Sequence, residues 1–374
     1  MKHTFSILVT IHILIASACH GMQNSIQHIK EIKKLTPTIH SYHQTHTPEL
    51  LVKTLYRDFK ITEPVLIDLF NSPIMERIKH VRQYGVLDYI IKQKREYTRY
   101  EHCVGVWALL RIHGACLEEQ IAGLLHDASH TVFSHVGDIL FNHHSTDSSY
   151  QDDIHEWYLK QMHADALLAK HGISLNAILH KSGTHTMLEQ DLPDICADRL
   201  EYNLQAGILT DMLTTDDIAH LLKNIRYDNG KWFFTNKECA KKLGHVSLFN
   251  TKNVWSSPAN QFIYRWTARA LTRALKIKLL TADDIHFSTD PVVWDKLYIS
   301  NDSYIAKCLT IITNYNSPTM IDTYKQEPVK GKFRGLDPWV QEDNNALKRL
   351  TTIDEQYRIE YNRLKAHMAH TSKL

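Results

Sequence analysis

The sequence predicts a mainly α fold on three observations: apolar residues recur at three- and four-residue intervals along most of the chain, helix-starting residues precede those runs, and strand patterns are few. From about Pro48 the elements follow one another closely. "PELLVKTLYRDF" reads as the first helix, and "SPIMERIKHVRQYGVL" as the second, with Ser72 as N-cap and Pro73 at the first helical position. Ile74, Ile78, Val81 and Tyr84 then share one buried face. Helical spacing continues through 101–113, 117–127, 131–143, 152–171, 191–206, 215–225 and 257–279. The best strand signal is "IRYDNGKWFF" at 225–234, where Asp228, Asn229 and Gly230 suit a hairpin turn. "YIAKCLTIITN", the basic, turn-rich "KQEPVKGKFRGLDPWV" and a final helix "ALKRLTTIDEQYRIEYNRLKAHM" then form a smaller region packed on the helical body.

At 374 residues the chain can bury a sizeable core in one large or two moderate domains. Its 43% hydrophobic and 22% charged residues exclude a disordered chain and a multispanning membrane protein, and a net charge of +2 gives no global attraction to nucleic acid. The first residues, "MKHTFSILVTIHILIASACH", stand apart. Lys2, the apolar run Phe5 to Ile15 and the small residues Ala16, Ser17 and Ala18 make a secretory signal pattern over 1–18, too short for a comfortable membrane span. Cleavage there leaves Cys19 first. A lipid anchor on Cys19 is then the alternative to simple cleavage, although Ala16 stands where a lipobox usually has Leu, and an uncleaved anchor is a third reading. The expected localisation is export, periplasmic or secreted, with 19–48 as a polar, Lys/His-rich arm. Cys103, Cys116, Cys196, Cys239 and Cys308 are odd in number and dispersed, which reads as small buried thiols and not a disulfide framework.

The chemistry concentrates in "LLHDASHTVFSHVGD". Neighbouring helical residues point a quarter-turn or more apart, so His126 and Asp127 reach one ion together only near a helix end or bend. Further ligands must come from elsewhere: His102 in "TRYEHCVGVWALL", and Asp191, Asp194 or Asp198 in "LEQDLPDICADRLEYNLQAG". His130 would share a helix face with His126, and His135 and Asp138, three apart, can orient one another if the helix continues. Among 25 histidines most are surface or core residues, and His113, His163, His171 and His180 are given no role. Lys330, Lys332 and Arg334 surround Phe333 in a turn that either closes over a phosphorylated ligand or is a solvated loop anchored by Phe333 and Trp339. No Gly-rich phosphate loop occurs, so phosphate would be held by metal, Arg and His.

In order and spacing, "SPIMERIKHVRQYG", "TRYEHCVGV", "LLHDASHTVFSH" and "ADRLEY" resemble segments of the HD-domain metal-dependent phosphohydrolases, in the branch of the deoxynucleoside triphosphate triphosphohydrolases and related bacterial HD phosphohydrolases. The resemblance runs from 72 to about 208, and more weakly to near 280. It implies an HD-domain helical bundle over 49–290 with a smaller α(+β) C-terminal region over 291–374. It also implies a divalent cation (Mn, Fe, Mg or Zn) on His102, His126, Asp127 and Asp198, with open positions for a phosphoryl oxygen and water. His130, His135 with Asp138 as its orienter, and His155 beside Glu156 in "DDIHEWYL" would act on the phosphate. Arg99, Arg199 and Tyr202 resemble substrate-contacting residues. Asp198 is preferred to Asp194 because it opens "DRLEY"; Asp194, one turn earlier, either supports the site from behind or is solvated. The implied partner is a small phosphorylated substrate, a nucleotide, and related enzymes are commonly oligomers.

Four positions depart from the family. Ser129 replaces its usual glycine, Thr131 and Val132 replace Gly-Pro, and Ala206 stands where the triphosphohydrolases carry an acidic residue facing the sugar. A phosphohydrolase with a different substrate is therefore the favoured reading. A catalytically reduced HD protein that binds a nucleotide as sensor or scaffold is the alternative.

Overall fold

A computed structural model describes residues 38–42, 49–91, 94–142, 149–179, 184–325 and 331–371. The expected signal segment, Cys19, most of the N-terminal arm and Lys330 lie outside them. The fold is mainly α, with two small sheets among the described residues. Among the described residues no helix is long and apolar enough to cross a membrane.

At the centre lies helix Arg99–Ile112. Thr98 starts it with a capping box: its side chain accepts from Glu101 N, and the Glu101 carboxylate accepts from Thr98 N. Arg99 through Leu110 are all buried, so the helix is covered on every side. Helices Leu117–Leu125 and Ala197–Leu209 pack directly against it. These three elements bring the widely separated motifs together: His102 sits in the first, His126 and Asp127 follow the second, and Asp198 opens the third.

The segment "PELLVKTLYRDF" is not a helix. Strands Thr38–Tyr42, Glu49–Lys53 and Asp58–Ile61 form an antiparallel sheet in which Leu50 pairs with Ile61 and Val52 with Phe59. All four of these side chains are buried, with more exposed residues between them, so the local period is two. Phe59 meets Trp107 of the central helix edge-on at 5.0 Å, as does Phe70 at 5.2 Å. Ser72 caps helix Pro73–Ile78 as expected, accepting from Met75 N, but the helix stops at Ile78 and the chain continues in turns.

A second apolar cluster is built by helix Pro258–Lys276 against Ser303–Thr313 and Val136–Leu140. The expected hairpin is present, with strands Ile225–Asp228 and Lys231–Phe234 joined through Asn229 and Gly230 at positive φ. Strand Trp339–Gln341 adds to it in parallel, and Leu347–Arg349 follows antiparallel. That last strand and a short helix, Leu350–Ile353, replace the start of the expected final helix, which begins at Glu355. Cys103, Cys196, Cys239 and Cys308 are free and buried, whereas Cys116 is exposed where the chain enters helix Leu117–Leu125, outside any core.

Candidate metal centre

The helix leading to the doublet ends at Leu125, and His126 through Ser129 form turns. This bend lets adjacent residues face one point: His126 Nε2 lies 3.7 Å from Asp127 Oδ1. It also separates His130 from the His126 helix face, so their spacing of four is not a helical contact. The expected helix over 131–143 is reduced to Val136–Leu140, preceded by a turn in which Phe133 and Ser134 adopt φ of 58° and 54°. Buried groups hold that turn. Asp290 accepts from Phe133 N at 2.7 Å and Arg82 N at 2.9 Å, while Arg77 donates to the carbonyls of Ala128 and His130 at 3.2 and 2.9 Å. Gly85 makes the approach possible, because a Cβ there would stand 2.3 Å from Phe133 O.

His102, His126, Asp127 and Asp198 converge. His102 Nε2 is 2.9 Å from Asp198 Oδ1, 3.4 Å from Asp127 Oδ2 and 3.1 Å from His126 Nε2. Asp198 Oδ1 is 3.5 Å from His126 Nε2. The far nitrogen of each imidazole is already committed: His102 Nδ1 donates to Glu201 Oε2 at 2.6 Å, and His126 Nδ1 to Gly123 O at 2.8 Å. Both Nε2 lone pairs therefore face each other and the carboxylate oxygens. With both rings neutral, the four side chains turn only acceptor atoms to the centre, which suits a divalent cation, so the residues present fit one. The electrostatics agree. Burial opposes charge on His102, but Asp198 and Glu201 outweigh it and raise its pKa to about 10. A pocket that attracts protons this strongly attracts a cation in their place.

Asp127 is kept ionised. Burial opposes its charge, and the adjoining Arg99 guanidinium, followed by His126, holds its carboxyl well below the usual range. Arg99 donates to Asp127 through Nη1 and to Ser134 Oγ through Nε at 3.1 Å. The side chain of His102 is 1% exposed but that of Asp198 21%, so the cluster opens on the Asp198 side.

Beside it stand the groups expected on the phosphate side. His130 Nε2 is 3.3 Å from Asp127 Oδ1, and its ring lies 5.0 Å from that of His135. Burial pushes the His130 pKa down to about 3. His135 bonds Asp138 at 3.0 Å, the orienting contact that their spacing suggested, although His135 precedes the helix. His155 lies on helix Tyr150–Gln161 and meets Ser129. Its neighbour Glu156 is exposed and paired with Lys160. The single helix expected over 152–171 breaks at His163, which has φ of 58°.

The helix expected over 191–206 begins only at Ala197. Asp194 is therefore not a turn below Asp198; it pairs with Arg349 and accepts from Trp339 Nε1 at 2.9 Å, tying the C-terminal strands to the body. Arg199 is held by Glu189 at 2.6 Å. Glu189, Cys196 and Asp198 form a second group of possible ligand atoms, but the bond to Arg199 already takes up the Glu189 charge. Tyr202 meets Trp255 edge-on at 5.0 Å, and its buried hydroxyl has no partner among the described residues. Trp255 ends a π-helical turn, Thr251–Trp255, and Ser256 next to it donates to Lys332 O at 3.1 Å. Phe333 packs on Tyr361, so the basic turn is anchored as well as charged.

Four supporting residues escaped the sequence reading: Glu201, Glu189, Arg77 and Asp290. Glu201 had a signal, since it follows Asp198 by three in "ADRLEY". It is fully buried and also accepts from Tyr97, from Tyr56 at 3.0 Å and from Gln205 at 3.0 Å. Gly105 leaves it room, because a Cβ there would lie 2.3 Å from Glu201 Oε1.

No family model matches the chain. It is 32% identical over 284 residues to the uncharacterized protein YdhJ of Bacillus subtilis, covering 76% of this chain and 86% of that one. It is 28% identical over 295 residues to the metal-dependent phosphohydrolase cns2 of Cordyceps militaris, covering 77% and 84%. A shorter stretch of 93 residues, 21% of this chain and 15% of the relative, is 31% identical to the deoxynucleoside triphosphate triphosphohydrolase SAMHD1 of Danio rerio. The chain belongs to the HD phosphohydrolase superfamily. In fold, this HD protein is similar to a phosphohydrolase from Bacteroides thetaiotaomicron, with a TM-score of 0.61 at 13% identity over 83% of this chain and 96% of that one. Membership in a metal-dependent phosphohydrolase family and the convergent His/Asp groups together indicate a divalent metal and a small phosphorylated substrate.

Proposed function

We propose that this protein hydrolyses a phosphate ester or anhydride of a nucleotide at a divalent cation held by His102, His126, Asp127 and Asp198. The observation that carries the reading is the facing of the two Nε2 lone pairs, each fixed from behind by Glu201 or Gly123. A cation bound there supplies positive charge to a phosphoryl oxygen and makes water a better nucleophile. The chain's own groups do the rest. His130 and His135 line the phosphate side, Asp138 fixes the His135 ring, and Arg99 holds Asp127 in place as an ionised ligand. Arg199 reaches the leaving-group side while bonded to Glu189, and the unpartnered Tyr202 hydroxyl against Trp255 offers a hydroxyl and an aromatic edge to a sugar and base.

Ala206 is fully buried and brings no acid to that side, which favours a nucleotide other than the deoxynucleoside triphosphates. The test is to load the purified protein with Mn, Fe, Mg, Zn or no metal and offer nucleoside mono-, di- and triphosphates, cyclic nucleotides and a short RNA. Release of orthophosphate or triphosphate that disappears in Asp127→Ala is expected. Metal-loaded protein that binds nucleotides and turns over none of them would establish the sensor or scaffold reading instead. We further propose export, tested by fusing residues 1–25 to a reporter active only after translocation; a cytoplasmic reporter signal rejects it.

A further inference from the structure

The family glycine replaced by Ser129 is the starting point, because this serine is fully buried and makes three polar contacts. Its Oγ lies 2.7 Å from Gln151 Oε1, 3.1 Å from Gln151 O and 2.9 Å from His155 Nδ1. A hydroxyl has one proton to donate. Both Gln151 oxygens only accept, and the orientation of that amide is fixed because its Nε2 donates to the Asp152 carboxylate, which itself accepts from Ser149 N at 2.6 Å and Ser149 Oγ at 2.9 Å. Reversing the amide would set its oxygen against a carboxylate. Donation from Ser129 to His155 would leave Oγ facing two acceptors with no hydrogen between them. The remaining solution is that Ser129 donates to Gln151 and accepts from His155.

We propose that Ser129 is a positioning residue that fixes the Nδ1–H tautomer of His155 and thereby presents His155 Nε2 to the site as a hydrogen-bond acceptor. No hydrogen bond from the described residues reaches that Nε2, nor is it one of the buried unpaired atoms. Burial lowers the His155 pKa to about 4, which keeps the ring neutral near pH 7. An accepting Nε2 faces a phosphate oxygen lone pair to lone pair, so it cannot clamp phosphate as a donor. It instead receives the O–H of the attacking water or of a substrate hydroxyl, and this use rests on the phosphohydrolase reading, whereas the tautomer does not.

The tautomer is read by long-range 1H–15N correlation of histidine-labelled protein at pH 7.5, with His155 assigned from the peak lost in His155→Gln. The expected result is a protonated Nδ1 and an unprotonated Nε2 in the native chain, and loss of that preference in Ser129→Ala. With p-nitrophenyl phosphate and Mn2+ as the probe, Ser129→Ala is expected to lower kcat by about 10- to 100-fold while KM stays within about twofold. Ser129→Gly, the family residue, should behave like Ser129→Ala. A native spectrum with the proton on Nε2 overturns the proposal, as does an unchanged tautomer in a folded Ser129→Ala. If neither variant folds, the native spectrum alone decides; if the probe is never hydrolysed, the spectrum still tests the positioning role separately from the reaction.

Discussion

The two ends of the site are built differently. At the cation end the side chains are held from behind: Glu201 accepts from four side chains, Gly123 holds His126, Arg99 holds Asp127 and Arg77 pins the turn that follows. Around Tyr202 the hydroxyl is buried without a partner among the described residues, Trp255 ends a π-helical turn, and Arg334, from a segment far along the chain, acts on the same hydroxyl. A buried polar atom without a partner costs about 1–3 kcal/mol, a cost that a bound ligand relieves. On the proposed function, the contrast assigns the reaction to a scaffold paired from behind, and substrate choice to atoms left open.

The sharpest way to break this comparison is to remove a converging ligand. Asp198→Ala is expected to abolish bound metal and to lower any hydrolysis by about a thousand-fold or more; retained stoichiometric metal by elemental analysis would show that the cation end is not built as described. Glu201→Gln comes next. It keeps the shape but cannot accept from four donors, and metal affinity measured by titration calorimetry with Mn2+ should fall by about 10- to 100-fold.

His113 supplies the matching control, a partly buried imidazole without a carboxylate. It packs against Trp232 at 4.6 Å, and burial, followed by Arg226, lowers its pKa to about 4, opposite in direction to His102. The unfolded chain therefore takes up this proton first as pH falls. Stability linked to His113 is fully present above pH 6.5 and is lost between 6.5 and about 4, an effect of up to about 3 kcal/mol. Denaturant midpoints of His113→Phe should fall less steeply than those of the native chain across that window; parallel curves would contradict it.

The smallest effect probes the open end. Arg334→Ala should raise KM for a nucleotide substrate by about tenfold, the worth of one hydrogen bond to a charged group, with kcat nearly unchanged. An unaltered KM would place Arg334 outside the substrate's reach.

The helical class, the Ser72 cap, the 225–234 hairpin and the ordered motifs were legible because each depends on residues within a turn or two of one another. The Glu49–Lys53 strand is not legible locally: Leu50 and Val52 alternate for only two positions, and what makes them a strand is pairing with Phe59 and Ile61. Likewise His130 kept a helical spacing from His126 through a segment that is not helical, because Asp290 and Arg77, from 157 and 53 residues away, supply the bonds that hold the turn. The preference for Asp198 over Asp194 was legible in "DRLEY", but the place of Asp194 was not: the helix starts only at Ala197, which sends Asp194 to the C-terminal strands and Asp198 to the imidazoles.

What the sequence by itself determined is the helical class and which histidines and aspartates are candidates, since residue type, spacing and order are local properties. Tertiary structure decided how they act. Which nitrogen is committed follows for His102 from Glu201 and for His155 from Ser129, contacts made across the fold, and for His126 from Gly123, brought into line by the bend after Leu125. A ring nitrogen becomes a ligand or an acceptor only when the opposite nitrogen has found somewhere to put its proton.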